Sequence, residues 1–367
     1  MNKILVYSQN LDNIYLCDTL DPKNKSLLNK IGLESKCNNP NFLYKIQNDI
    51  NVYNPFLVAI STEDELKKNN NFHNKLLKNF MDNLNFKQLK VKKLDKIKSN
   101  NITRLSIYVH NTLYKDFEYE EKDIDRNFNN NGQYIHVENI DERSLGVIVS
   151  IVWHPIYGRF AFSTFNLTSE NDKIYYNKEI YYKYRQYIIA SNTSIINFTK
   201  FKVESIKKFK RPEYFIIMGN LGFNIIDDKG IIQSYINDNN EFSVEDIKNM
   251  IDKDELRVNH ILSEYKEGPS NDGPFFLPTS VLKKGRDLNL CSSKYDKMHK
   301  NYYKNCIDEF KPLGWRERIL YKELEGSNSN YTLNCIEYNR NDSIADSDNA
   351  AVYAIFELIE RKIVNNN

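Results

Sequence analysis

The feature that most constrains this chain is an alternation that runs from one end to the other. A short apolar run rich in β-branched and aromatic residues is followed each time by a polar or helix-patterned segment. The runs are KILVYS (Lys3–Ser8), FLVAIS (Phe56–Ser61), RLSIYVH (Arg104–His110), GVIVSIVWH (Gly146–His154), RFAFSTF (Arg159–Phe165), EYFIIMG (Glu213–Gly219), RERILYKE (Arg316–Glu323) and AVYAIFEL (Ala351–Leu358). Their length and residue types predict strands. Between them, Asp64–Asn83 spaces Leu66, Phe72, Leu76, Leu77 and Phe80 as a helix would, with Ser61 or Thr62 as N-cap. Asn177–Ala190 reads as a second helix and Val244–Asp252, opened by Ser243 with Asp246 three residues on, as a third. Strands and helices interleaved in this way predict one α/β domain over residues 1–363, with 364–367 as a disordered tail.

Composition narrows the function classes. Fifty-one Lys and Arg against 49 Asp and Glu leave a formal charge of +2, so no global field draws the protein to nucleic acid or to an anionic membrane. The five cysteines, Cys17, Cys37, Cys291, Cys306 and Cys335, form no C-x-x-C pair and have no histidine at ligand spacing. They read as reduced thiols of a cytoplasmic protein. The N-terminal apolar run is too short for a signal peptide, and no window approaches a transmembrane span.

Four later segments carry chemistry in a recognisable order: EGPSNDGPFFLPTSVLKKG (Glu267–Gly285), GWRERILYK (Gly314–Lys322), DSDNAAVYAIFEL (Asp346–Leu358) and, before them, EYFIIMGNLGFNI (Glu213–Ile225). With SQN (Ser8–Asn10), ISTE (Ile60–Glu63) and FNL (Phe165–Leu167) they resemble the motifs of the inositol polyphosphate 5-phosphatases, a branch of the endonuclease/exonuclease/phosphatase superfamily. The resemblance spans essentially the whole chain. It implies a four-layer α/β sandwich, two packed mixed β-sheets flanked by helices, and a Mg²⁺-dependent hydrolysis of phosphate monoesters. That chemistry needs a metal held by an amide and carboxylates, an oriented water, and groups that meet the phosphoryl oxygens.

Carried over residue by residue, the resemblance divides the site. Asn10, Glu63 and Asp348 match the metal-site asparagine and glutamate and the aspartate that supports the last histidine. Asn166 and Asn349 stand where the family has its two phosphate-contacting histidines, Asn220 where it has the aspartate, and Gly222 where it has the asparagine of the same turn. Ser280 and Val281 replace the tyrosine and lysine that contact a ring phosphate. Losing one positioned acid or base costs about 10² to 10⁴ in rate, and an asparagine takes up no proton near neutral pH. Local chemistry accounts for the survivors too: Asn10 as a strand-end turn residue, Glu63 in an acidic first helical turn, Asp348 as a cap. Trp315 and Arg318 read as residues that hold the sheet together.

These residues point to a catalytically inactive 5-phosphatase-like protein used as a binding or structural component of a larger assembly, with a protein or ribonucleoprotein partner. The alternatives are a weakly active Mg²⁺-dependent phosphatase of inositol phosphates or phosphoinositides, and a nucleic-acid-binding member of the same superfamily. No cofactor is expected, and Mg²⁺ enters only if Asn10, Glu63 and Asp348 still hold one. If the degenerate positions line a solvent-filled pocket, restoring Asn220→Asp and Asn349→His leaves stability nearly unchanged. Two basic stretches could meet a phosphorylated ligand or an anionic surface. Lys87–Lys98 reads as a charged edge strand, and Phe198–Phe215 mixes basic with aromatic residues. A solvated face is the better reading of both.

Overall fold

The computed structural model describes residues 2–10, 41–65, 70–95, 101–119, 134–135, 147–167, 178–206, 211–226, 244–280, 282–283, 306–307, 313–324, 329–342 and 347–361. Among the described residues twelve strands form two sheets. The first contains β1 (Lys3–Asn10), β2 (Leu57–Glu65), β3 (Phe86–Asp95), β4 (Asn101–His110), β11 (Tyr331–Asn341) and β12 (Ala351–Glu360), in the order β11-β12-β1-β2-β4-β3. The second contains β5 (Glu118–Tyr119), β7 (Val147–His154), β8 (Gly158–Asn166), β9 (Tyr214–Asn220) and β10 (Glu317–Glu323), in the order β10-β9-β8-β7-β5, and β6 (Tyr134–Ile135) pairs with β7.

Each sheet has one parallel pair, β1 with β2 and β8 with β9. A parallel pair needs a crossover on one face of the sheet, and a helix supplies it in both cases. α1 (Asn41–Tyr53) lies between β1 and β2, and α3 (Lys178–Glu204) between β8 and β9. α2 (Asn70–Asn83) joins α1 on the outer face of the first sheet, where Leu43, Ile46, Ile50, Leu77, Phe80 and Met81 pack on Leu5, Tyr7, Val58 and Ile60. The Tyr7 hydroxyl donates to Asp49, tying α1 to β1. α3 covers the second sheet in the same way, setting Ile189, Ile195, Ile196 and Val203 on Phe165, Phe215 and Ile217. The inner faces meet directly, with Ile4, Val6, Ala59, Ile107 and Val352 of the first sheet against Ile148, Phe160, Phe162, Ile216 and Met218 of the second. The arrangement is the four-layer α/β sandwich that the sequence implies. β9 is buried on both faces, which explains its continuous apolar run.

The differences from expectation have tertiary causes. β2 runs through Glu65, because Glu63 pairs with Asn10 of β1 and Thr103 of β4, so Ser61 and Thr62 are strand residues and α2 starts only at Asn70. α3 extends to Glu204, well past Ala190, since Ile195, Ile196, Thr199 and Val203 continue its buried stripe. The basic stretch from Phe198 is therefore split between the end of α3 and β9. β3 is an edge strand, as the Lys-rich pattern predicts, although Lys96–Lys98 lie outside the described residues, as does the 364–367 tail. The reading of five free thiols is corrected as well. Cys306 is disulfide-bonded, a state that spacing alone could not reveal. Cys335 is free and buried, and burial pushes its thiol up to about 12. Among the described residues no helix is long and apolar enough to cross a membrane.

Candidate functional site

The two parallel pairs deliver their carboxyl ends to the same end of the sandwich, where open α/β sheets usually place ligand sites. Asn10 is in register with Glu63 at the end of β1 and β2. Asn166 is in register with Asn220 at the end of β8 and β9. The antiparallel neighbour β10 begins there, with Glu317 opposite Asn220, and Asn349 precedes β12 and forms a bridge to Ser280.

Side chains stitch the two sheets together at this end. Ser8 donates to Glu317 at 2.6 Å and Ser61 and Thr164 share a hydrogen bond, while on the first sheet's side Gln9 Nε2 donates to the Asn349 carbonyl at 3.4 Å. Asn349 Nδ2 donates to Asp348 at 2.8 Å, so the one described carboxylate of the metal set is engaged by its neighbour. Ser280 is buried and turned inward, its hydroxyl donating to the Gly314 carbonyl at 2.8 Å. Val281 lies outside the described residues, and of Asn10 and Glu63 only the backbone is described.

The turn after β9 is held from every side. Gly219, at φ +115°, bends the chain just before Asn220, and a Cβ there would overlap the Phe165 carbonyl oxygen. Asn220 Oδ1 accepts from the Gly222 amide at 2.9 Å, and the Gly222 carbonyl accepts from Arg185 of α3 at 2.6 Å. Arg185 also pairs through Nε with Glu255 at 2.7 Å, and Glu255 accepts from the Asn224 amide at 2.7 Å. Arg316 donates to Asn224 Oδ1 at 3.0 Å, and Asn192 to the Leu221 carbonyl at 3.2 Å. The sequence gives no local hint of Ser8, Gln9, Arg185, Glu255 or Arg316 as site supports. The nearest signal is position, since Arg316 and Glu317 sit inside the GWRER motif.

Behind the site, on the outer face of β10, Arg318 is fully buried between Asp254 at 2.6 Å and Glu267 at 3.0 Å. Glu267 also accepts from the Tyr338 hydroxyl at 3.0 Å. Complete burial pushes the Asp254 carboxyl up to about 6, against the pull of Arg318 and with help from Glu267. Burial works against the Arg318 charge, but the Asp254 and Glu267 carboxylates outweigh it and hold the guanidinium protonated. Trp315 donates from its indole to the Phe276 carbonyl at 2.9 Å. Trp315 and Arg318 thus hold the sheet to the 254–276 segment.

The residues singled out from sequence therefore do come together, apart from Val281, but the pocket differs from expectation. Asn166, Asn220 and Asn349 are 2%, 9% and 6% exposed, so they are packed amides and do not line open solvent. Asn166 Nδ2 and Asn349 Oδ1 are buried with no hydrogen-bond partner among the described residues. No group of three His, Cys, Asp or Glu that could hold a metal occurs among the described residues. The constellation can offer hydrogen bonds to a ligand. It holds no described group able to exchange a proton at the positions Asn166, Asn220 and Asn349.

No family model matches the chain, and no curated protein matches it in sequence. Solved structures match its fold. The inositol polyphosphate 5-phosphatase domain of SPsynaptojanin, solved with inositol (1,4)-bisphosphate and a calcium ion, superposes with a TM-score of 0.57 at 13% identity, over 97% of this chain and 84% of that one. Cimex nitrophorin, as its ferrous NO complex, gives 0.54 at 14% identity, over 97% of this chain and 98% of that one. At such identities the likeness is one of fold. The chain has the fold of the endonuclease/exonuclease/phosphatase superfamily, the fold that the resemblance in its motifs implies.

Proposed function

We propose that this chain is a catalytically silent member of that fold and acts as a binding or structural component of a larger assembly. The observation that supports the reading is the trio Asn166, Asn220 and Asn349, three buried amides where the strand ends converge. Amides hold geometry and donate or accept hydrogen bonds, but they do not relay protons. The fold by itself favours no one chemistry, because one neighbour is an inositol bisphosphate complex and the other a ferrous NO complex. Any Mg²⁺ would rest on Glu63 beside Asn10, and a single carboxylate gives weak binding to an ion that keeps most of its waters.

The test is phosphate release from a panel of inositol phosphates and phosphoinositides with millimolar Mg²⁺, run beside a size measurement of the chain in native extract. The expected result is no release, no change in melting temperature with Mg²⁺, and recovery in a complex larger than the monomer. Turnover at about 1 s⁻¹, or a Mg²⁺-dependent rise in melting temperature that Glu63→Ala removes, would favour the phosphatase reading instead.

A further inference from the structure

The outer face of the second sheet carries a pocket of about 470 Å³, away from the strand-end site. It is formed by the segment after α4 (Val244–Ile251), which includes the short helix α5 (Glu255–Val258), where that segment returns to β10. Leu256, Ile261, Leu262 and Leu320 give it an apolar wall. The size suits a small organic ligand.

One polar group in this wall lacks a hydrogen-bond partner among the described residues, and a second has a single long bond. Tyr265 is 5% exposed, and its hydroxyl is buried with no hydrogen-bond partner among the described residues. The ring is fixed by Phe215 edge-on at 6.0 Å and by Lys322 over its face at 5.2 Å. Arg257 is half-buried at the rim. Its guanidinium lies against Gly273, where a Cβ would collide with it, and makes one long bond, 3.3 Å, to the Asn271 carbonyl. No carboxylate among the described residues stands within ion-pair distance of it. The other charged or titratable lining groups are Asp252, His260 and Glu267, and Glu267 is committed to Arg318 and Tyr338.

The backbone gives an independent indication. Five described residues other than glycine have positive φ, and three of them, His260 at 50°, Leu262 at 59° and Asn271 at 57°, line this pocket. A leucine in the left-handed region is strained, and such strain persists where surrounding structure enforces it and concentrates at functional sites. Here the segment is pinned at both ends, by the bridge between Ile225 and Asp254 and by paired backbone bonds between Lys266 and Tyr321.

We propose that this pocket binds a small amphipathic carboxylate: an anionic end at Arg257, an apolar body along Leu256, Ile261, Leu262 and Leu320, and a hydrogen-bonding group for the Tyr265 hydroxyl. The proposal is independent of the state of the strand-end site. The probe is 4-hydroxyphenylacetate, titrated by calorimetry and by protein NMR, with 4-hydroxyphenylethanol lacking the carboxylate and phenylacetate lacking the hydroxyl. Saturable binding of the full probe is expected, weakened about tenfold by either deletion. Arg257→Gln should remove the preference for the carboxylate alone, and Tyr265→Phe the preference for the hydroxyl alone. Tyr265→Phe should keep or raise the melting temperature of the free protein, since it deletes an unpaired buried hydroxyl, so a loss of affinity cannot be blamed on misfolding. No saturable binding of the probe at millimolar concentration, or preferences that persist unchanged in the two variants, would overturn the assignment.

Discussion

Glu317 and Arg318 are adjacent on β10 and, with the alternation of a strand, they look into two polar regions built on opposite plans. Glu317 faces the strand-end site, where it is held by Ser8 among neutral amides. Arg318 faces the outer layer, where it is buried between two carboxylates. Both regions are buried. In the outer cluster opposite charges stand within ion-pair distance, whereas in the strand-end site neutral amides fill the working positions, and each region keeps buried polar atoms without a hydrogen-bond partner among the described residues. The first plan fixes a segment by charge, and the second holds its strand ends by neutral hydrogen bonds around the Glu317 and Asp348 carboxylates.

The largest effect should come from breaking the charge balance. Arg318→Met leaves Asp254 and Glu267 buried and facing each other, and unfolding in urea should show a loss of about 3 to 5 kcal/mol. A loss under about 1 kcal/mol would mean the cluster is hydrated and the contrast false. Next, Gly219→Ala drives a Cβ into the Phe165 carbonyl at a positive φ, and should cost about 3 kcal/mol by the same measurement.

The pH dependence separates the regions further. Asp254 has a folded pKa of about 6 against 3.8 for the free group, so the folded state binds the extra proton between these values. Its contribution to stability is therefore complete below the unfolded pKa and declines as pH rises through about 6. The decline should be on the order of 2 kcal/mol, measured as the difference between wild type and Asp254→Asn from pH 4 to 7. A flat difference would show that Arg318 fully offsets the burial. The smallest effect belongs to the strand-end site. Asn220→Asp places a carboxylate opposite Glu317 in a packed position, so it should cost about 1 to 2 kcal/mol near neutral pH and less in acid. Paired with Asn349→His it should still release no phosphate, because Asn166, Gly222 and Ser280 stay as they are. A double variant as stable as wild type would show that the site is open to water after all.

How much of this was legible in the sequence follows from where each signal resides. β1, β7, β9 and β12 announce themselves because their apolar runs are continuous. β11 does not: it alternates with polar residues, and a bulge between Cys335 and Glu337 shifts the phase of the pattern. α1 buries Leu43, Ile46 and Ile50 at helical spacing, but asparagines and lysine dilute the stripe. The strand-end asparagines could be located from motif order, since register carries Asn166 to Asn220 and Asn10 to Glu63. Their burial could not, because it depends on contacts such as Ser8 with Glu317 and Arg185 with Glu255, made between segments far apart in the chain. The outer pocket had no motif at all, and its marks are backbone angles and one unpaired hydroxyl.

The placement of β1 bears on how the protein is made. It lies in the middle of its sheet between β2 and β12, and Ile4 pairs with Phe356. A chain emerging from a ribosome can give β1 its β2 edge early, but the other edge stays open until Ala351–Glu360 is synthesised. Between the synthesis of β2 and that of β12 the nascent chain therefore presents a strand with one unpaired edge, whose Ile4, Leu5, Val6 and Tyr7 are all buried in the folded protein. Such an edge is a template for pairing with other chains, and closing it late makes the last step slow.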